Sequence, residues 1–258
     1  MRKIIILFGF CILFLLGLSF VASADRIQIK GNTTNSTLGD AYVFDDNGAN
    51  ANANYGTLYY LSVNTFSPIQ TQRTYITLNT SRIADISNSI NTIDEVLFCL
   101  YSFADNINVV DSVNISIHEV YTYPWVNGSG GSSLNETTIT ANNQPCGTEF
   151  DNDSNCNLTS YDNVTFLDGV FGWNCFDVTG SLSKSDTNVS YALKIIEDVG
   201  ADESVFFYSK DSGGIAEYVY YLNVTYSPLT IIPSKTIFSI RKNSRIIIKS
   251  IGRFIMRK

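Results

Sequence analysis

The chain has 258 residues, 45% of them hydrophobic and 13% aromatic, and a formal net charge of −7. Residues 25–228 hold 24 acidic and 7 basic side chains, a net of −17, whereas residues 229–258 hold 8 basic and no acidic ones. That field excludes nucleic acid and anionic membrane as partners of the central region and leaves the tail to attract either.

The N-terminus reads Met-Arg-Lys, then an apolar run over residues 4–21, then Ala22-Ser23-Ala24. These are the three parts of a secretory signal, with cleavage expected after Ala24. The apolar run is close to bilayer-spanning length, so an uncleaved anchor is the alternative. Next, Ile27 and Ile29 alternate with polar residues and predict a first strand, followed by a polar turn over 31–37. Further strands are predicted at 41–44, 58–63, 73–79, 94–103, 112–121, 162–167, 172–178, 190–197, 204–209 and 218–226. Short helical turns are predicted over 83–92 and 179–184, the second capped by Asp177 or Thr179. Residues 124–160 read as a long insertion rich in Gly, Ser, Asn and Thr.

Many short strands, few helix formers and no fixed-period repeat predict an all-β, antiparallel sandwich over residues 25–228, not an α/β fold or a solenoid. In the basic tail, 229–258, Ile247, Ile251, Phe254 and Ile255 recur at helix-like spacing among Lys249, Arg253, Arg257 and Lys258. That pattern fits an amphipathic segment lying on a membrane surface, or a solvated basic tail.

Export leaves Cys99, Cys146, Cys156 and Cys175, enough for two disulfides in a secreted or cell-surface protein. In EVLFCLYSF, Val96, Phe98 and Leu100 share one face, so Cys99 points to the other with Leu97 and Tyr101. In WNCFDVT, Phe176 and Val178 face the core and Cys175 faces away. Two outward cysteines on neighbouring strands predict Cys99–Cys175, and a shared polar loop predicts Cys146–Cys156. Zinc is the rival, but no C-x2-C pair occurs and His118 is the only histidine. Eleven N-x-S/T triplets, at Asn32, Asn35, Asn79, Asn114, Asn127, Asn135, Asn152, Asn157, Asn163, Asn188 and Asn223, are candidate glycan acceptors in an exported chain.

The most informative stretch is GDAYVFDDNGANANANYGTLYYLSV, residues 39–63. It reads as two strands joined by a long loop, and long loops without structure of their own are often functional. Asp40, Asp45, Asp46 and Asn47 supply oxygen ligands suited to calcium, although an acidic turn explains the same residues. Trp125, Trp173, Tyr55, Tyr59, Tyr60, Tyr121 and Tyr123 offer aromatic faces to a pyranose ring, with Asn54 among the neighbouring amides for its hydroxyls. Ordinary strand packing is the competing role, and it is favoured for Trp173, which lies in a core-strand motif. Arg73 is expected to pair with a carboxylate such as Asp177. His118 alternates with Ile117 and Glu119 and shows no partner. No H-E-x-x-H or G-x-S-x-G occurs, so no catalytic set stands out.

Several pieces, in order, resemble the DNRLRE (disaggregatase-related) domain, which overlaps carbohydrate-binding module family 96. They are Asp40-Ala-Tyr-Val, Asn54-Tyr-Gly, RTYITL from Arg73, IDEVLFCLY from Ile93, NETTITANNQP from Asn135, GWNCFDVT from Gly172, FYSK from Phe207 and YLNVTY from Tyr221. Ala141 stands where the family often has Trp, and the cysteines and residues 146–160 are not part of the family pattern. The resemblance implies a jelly-roll-like sandwich on an exported, polysaccharide-associated protein without catalysis. The expected function is thus a secreted or cell-surface carbohydrate-binding module that recognises a polysaccharide, acidic or neutral, with calcium as the candidate cofactor. A structural or adhesive surface protein with no sugar site is the alternative.

Overall fold

A computed structural model describes residues 24–31, 37–45, 50–66, 70–107, 111–121, 138–196, 203–212, 215 and 217–229. The signal-like segment, Asp46, Asn47, Tyr123, Trp125 and the basic tail lie outside the described residues. Among the described residues, eleven antiparallel strands make up the fold: β1 (Asp25–Lys30), β2 (Thr37–Asp45), β3 (Tyr60–Phe66), β4 (Gln70–Asn79), β5 (Ile90–Asn106), β6 (Ser112–Glu119), β7 (Asp162–Leu167), β8 (Gly172–Asp177), β9 (Asn188–Ile195), β10 (Glu203–Tyr208) and β11 (Tyr221–Pro228). The all-β antiparallel sandwich expected from the sequence is therefore the observed fold, built from one curled sheet.

Two long strands change partners along their length, and this folds the sheet over on itself. One edge of β5 carries β8. Its other edge carries β11 as far as Cys99 and then β10 from Ser102 onward. One edge of β4 carries β2. Its other edge gives Gln70–Gln72 to β3 and Thr74–Asn79 to β9. The layer β1-β11-β5-β8 thus faces the layer β2-β4-β9-β6-β7, and β10 and β3 join them. Between them lies the main core, with Phe98 of β5 against Tyr191 of β9 at 5.2 Å.

Strict alternation marks strands buried on one face only. In β1 just Ile27 and Ile29 are buried, and in β8 just Phe176. By contrast, β6 and β9 are buried almost throughout, because a second layer covers their outer face. That layer is the latter part of the insertion, residues 138–157. It forms a smaller core in which Ile139, Ala141, Cys146, Phe150 and Cys156 pack on Val43, Tyr75 and Ala192. The insertion read as a polar loop is here a packed cap.

Arg73 secures this cap, and its expected pairing with Asp177 is corrected. Its Nη1 donates to the Gln144 side-chain oxygen at 3.2 Å and to the carbonyls of Gly147 at 3.2 Å and Thr148 at 2.6 Å. Tyr75 donates to the same Gln144 oxygen at 2.9 Å. The Arg73 guanidinium, at 5.5 Å, and the Lys194 ammonium, at 4.4 Å, both lie over the Phe150 ring. Gly147 takes φ 77°, a left-handed conformation that strains any residue with a Cβ, so glycine is favoured there. Arg73→Met should leave the buried Gln144 oxygen and two part-buried carbonyls without their charged donor and lower stability by about 1–3 kcal/mol. Hydrogen exchange should show residues 138–157 opening before β5 does. Equal protection of that segment in variant and parent would contradict the assignment.

Both predicted disulfides are present. Cys99 and Cys175 face each other across β5 and β8, and Cys146–Cys156 closes the cap. Two such bonds fit an oxidising compartment. Among the described residues, no helix is long and apolar enough to cross a membrane. The first helical turn is a short α1 (Ser81–Asp85) followed by a 3-10 turn over Ser87–Ser89, and Ile90 already belongs to β5. The second is a 3-10 turn at Thr179–Ser181 whose N-cap is Val178, a correction to the predicted cap. Asp177 instead accepts from the Thr179 amide at 3.0 Å, the Asx-turn geometry that ends β8.

Candidate functional site

The opening loop connects β2 to β3, and from Asn50 onward it is tied to the cap. The Asn142 amide donates to the Ala51 carbonyl at 3.1 Å, and the Asn142 side chain donates to the Asn52 side-chain oxygen at 2.8 Å. Asn54 donates to the Ile139 carbonyl at 2.7 Å and accepts from the Gly56 amide at 3.2 Å. Asn54 therefore shapes the loop from within, while Asn52 and Asn142 are exposed. Both ends of this segment are held, which keeps its ring positions defined.

Four tyrosines meet here. Tyr55 stacks on Tyr42 with centroids 4.6 Å apart and 11° between planes, and Tyr42 stacks on Tyr60 at 5.6 Å. The hydroxyls of Tyr42 and Tyr60 lie 3.2 Å apart, and burial of Tyr42 pushes its phenol well above the usual range. Tyr59 meets Tyr60 edge-on at 5.1 Å and is 59% exposed. Tyr60 also touches Phe206 of β10 at 5.7 Å.

A second aromatic group covers the face of β5, β8, β10 and β11 that points away from the main core. Tyr101 lies opposite Trp173 in register, with centroids 5.5 Å apart, and Trp173 also touches Tyr221 at 4.8 Å. Tyr101 contacts Tyr218 at 4.3 Å and Tyr208 at 6.0 Å, and Tyr208 stacks on Phe103 at 4.3 Å. Trp173 packs on these rings, as favoured from its motif, but on the outer face and 39% exposed, not in the core. The signal in the sequence was alternation: Trp173 shares the parity of outward Cys175, not of inward Phe176. Tyr121 is exposed too, but at the end of β6 and outside both groups.

The proposed calcium ligands do not converge through Asp40. It lies inside β2 opposite Ile76, and Asp45 lies five residues further along the same strand opposite Thr71. Five residues of strand separate their backbones by about 17 Å. Asp40 is buried, accepts from the Lys210 amide at 2.8 Å and lies 3.8 Å from the Lys210 ammonium. Among the described residues, no group of three or more His, Cys, Asp or Glu is placed to hold a metal. The Asp45 side chain, like Asp46 and Asn47, lies outside what is described.

His118 has the partners its sequence context hid: the Ser116 hydroxyl at 2.8 Å and the Asn157 carbonyl at 2.9 Å, with the Phe150 ring at 4.7 Å. Burial lowers its pKa from 6.5 to about 4. The unfolded chain thus takes up this proton first as pH falls. The stability that neutral His118 contributes is complete above about pH 6.5 and drains away toward pH 4. Asp40 acts in the opposite sense, since burial raises its pKa from 3.8 to about 6. Its contribution is complete below about pH 3.8 and is lost as pH rises to about 6. In thermal melts across that range, the advantage of Asp40→Asn over the parent should grow with pH and then level off. His118→Gln should flatten the acid limb. Melting curves for parent and variants that stay parallel across the range would refute both assignments.

Comparison with known protein families finds no family model that matches this chain, and no curated protein matches it.

Proposed function

We propose that this protein is an exported, non-catalytic carbohydrate-binding module of the cell surface or matrix, and that it holds polysaccharide at the tyrosine cluster of the opening loop. The observation that carries this reading is the Tyr55–Tyr42–Tyr60 stack, with exposed Tyr59 beside the exposed Asn52–Asn142 amide pair. An aromatic ring presents an apolar face to the C–H groups of a sugar ring, and amides bond its hydroxyls. The order of motifs that resembles the DNRLRE domain supports the same class. So do the two disulfides, which suit an extracellular setting.

The deciding experiment is a binding screen of the whole protein against neutral and acidic polysaccharides, with and without calcium. Tyr59→Ala should weaken binding about tenfold, equivalent to about 1.4 kcal/mol, without moving the melting temperature. Binding unchanged by Tyr59→Ala would place the site elsewhere.

A structural or adhesive role is the second reading, and one observation favours it. The turn between β7 and β8 exposes Leu167, Val170 and Phe171, an apolar tip suited to protein contact. Self-association without glycan binding would select that reading.

A further inference from the structure

The two aromatic groups are not separate patches. Tyr208 of β10 lies opposite Tyr60 of β3 in register, and Phe206 follows on the same face of β10, touching Tyr60. Ring contacts and strand pairing therefore lead from Trp173 on β8 through Tyr101 on β5 and Tyr208 on β10 to Tyr60 on β3, and then to Tyr42 and Tyr55. From β8 to β3 this crosses three strand spacings, about 14 Å, before the loop tyrosines extend it. Within this tract the two most exposed rings, Trp173 and Tyr59, stand at opposite ends.

The charges beside this tract are mainly acidic, with exposed Lys30 of β1, opposite Tyr221 in register, the basic exception at one end. Glu217 borders Tyr218 and raises its phenol pKa, and the Asp105 carboxylate accepts from the Gly169 amide in the turn leading to Trp173. Lys210, two residues past Tyr208, is held by Asp40 and Asp211. A polyanion would meet repulsion along the tract, while an uncharged sugar chain would meet ring faces at the ends and phenol edges between.

We propose that the ligand is a neutral, extended polysaccharide bound in mid-chain along one tract from Tyr55 and Tyr59 to Trp173. This rests on the carbohydrate-binding reading and gives it a polymer class, a length requirement and a second set of residues. A chain spanning both ends gains from contacts that become intramolecular once one end is held, whereas a short oligomer reaches one end only.

Calorimetric titration of the whole protein tests this, using soluble β-glucan, β-mannan and β-xylan polymers, their trimers, and alginate as the polyanion. At least one neutral polymer should bind more tightly than its trimer by about tenfold or more, and alginate should bind more weakly than that polymer. Tyr59→Ala and Trp173→Ala should each abolish the length advantage, and Trp173→Phe should restore part of it. Binding of a glycan with no length advantage, a length advantage that survives either alanine variant, or preference for alginate would overturn the single neutral tract while leaving a carbohydrate-binding module in place. If no glycan binds at all, the carbohydrate-binding reading falls and the tract with it.

Discussion

Replacing Phe98 with alanine is expected to destabilise the protein by about 3–5 kcal/mol in urea unfolding, whereas Tyr101→Ala, three residues along the same strand, should cost about 1 kcal/mol. The difference follows from the faces of β5. Phe98 is fully buried, meets Tyr191 at 5.2 Å and Tyr220 at 6.0 Å, and sits where the two layers press together. Its removal loses the transfer energy of a large ring and leaves a cavity that rigid strands cannot close. Tyr101 is half-buried among rings on the open face, and water can fill the space it leaves. The same pair separates stability from binding: Tyr101→Ala should weaken polymer binding while nearly keeping the fold. Comparable losses of stability at both positions would mean that the open face is in fact packed.

Removing the Cys99–Cys175 bond by a double serine substitution should cost more than removing Cys146–Cys156. The first closes a chain separation of 76 residues and the second a separation of 10. On the loop-entropy account these correspond to about 4.5 and about 2.7 kcal/mol. Location adds to the ranking, since the first bond ties β8 to the central strand β5 and the second ties the cap to itself. Urea unfolding of the two variants measures the order. A larger loss from the cap bond would show that native-state packing, not the unfolded chain, sets the value of these crosslinks. Non-reducing peptide mapping should recover the same two pairs, and a Cys99–Cys146 peptide would contradict the fold.

Strand positions were legible because alternation is local. The outward parity of Cys99 and Cys175 predicted their bond, and Val96, Phe98, Leu100, Phe176 and Val178 all lie in the core as their spacing required. Alternation assigns a residue to one of two faces, but it does not say whether the second face is covered. That was decided by the tertiary structure, where residues 138–157 fold back over β4, β9 and β6. Under that cap, Tyr75, Ala192 and His118 became buried on the face that would otherwise be open. No comparable layer among the described residues covers β5, β8 and β10, so Trp173 and Tyr101 stayed accessible there. Arg73 shows the same limit. Its charge made a carboxylate the natural partner, yet the groups brought within reach by the cap were the Gln144 side chain and two carbonyls. By itself the sequence determined the strands, the core face and the cysteine pairing, each a matter of near neighbours or parity. Which aromatic residues form one tract was decided by pairing between strands far apart in the chain, such as Tyr60 with Tyr208, because strand order depends on how the whole sheet closes its core.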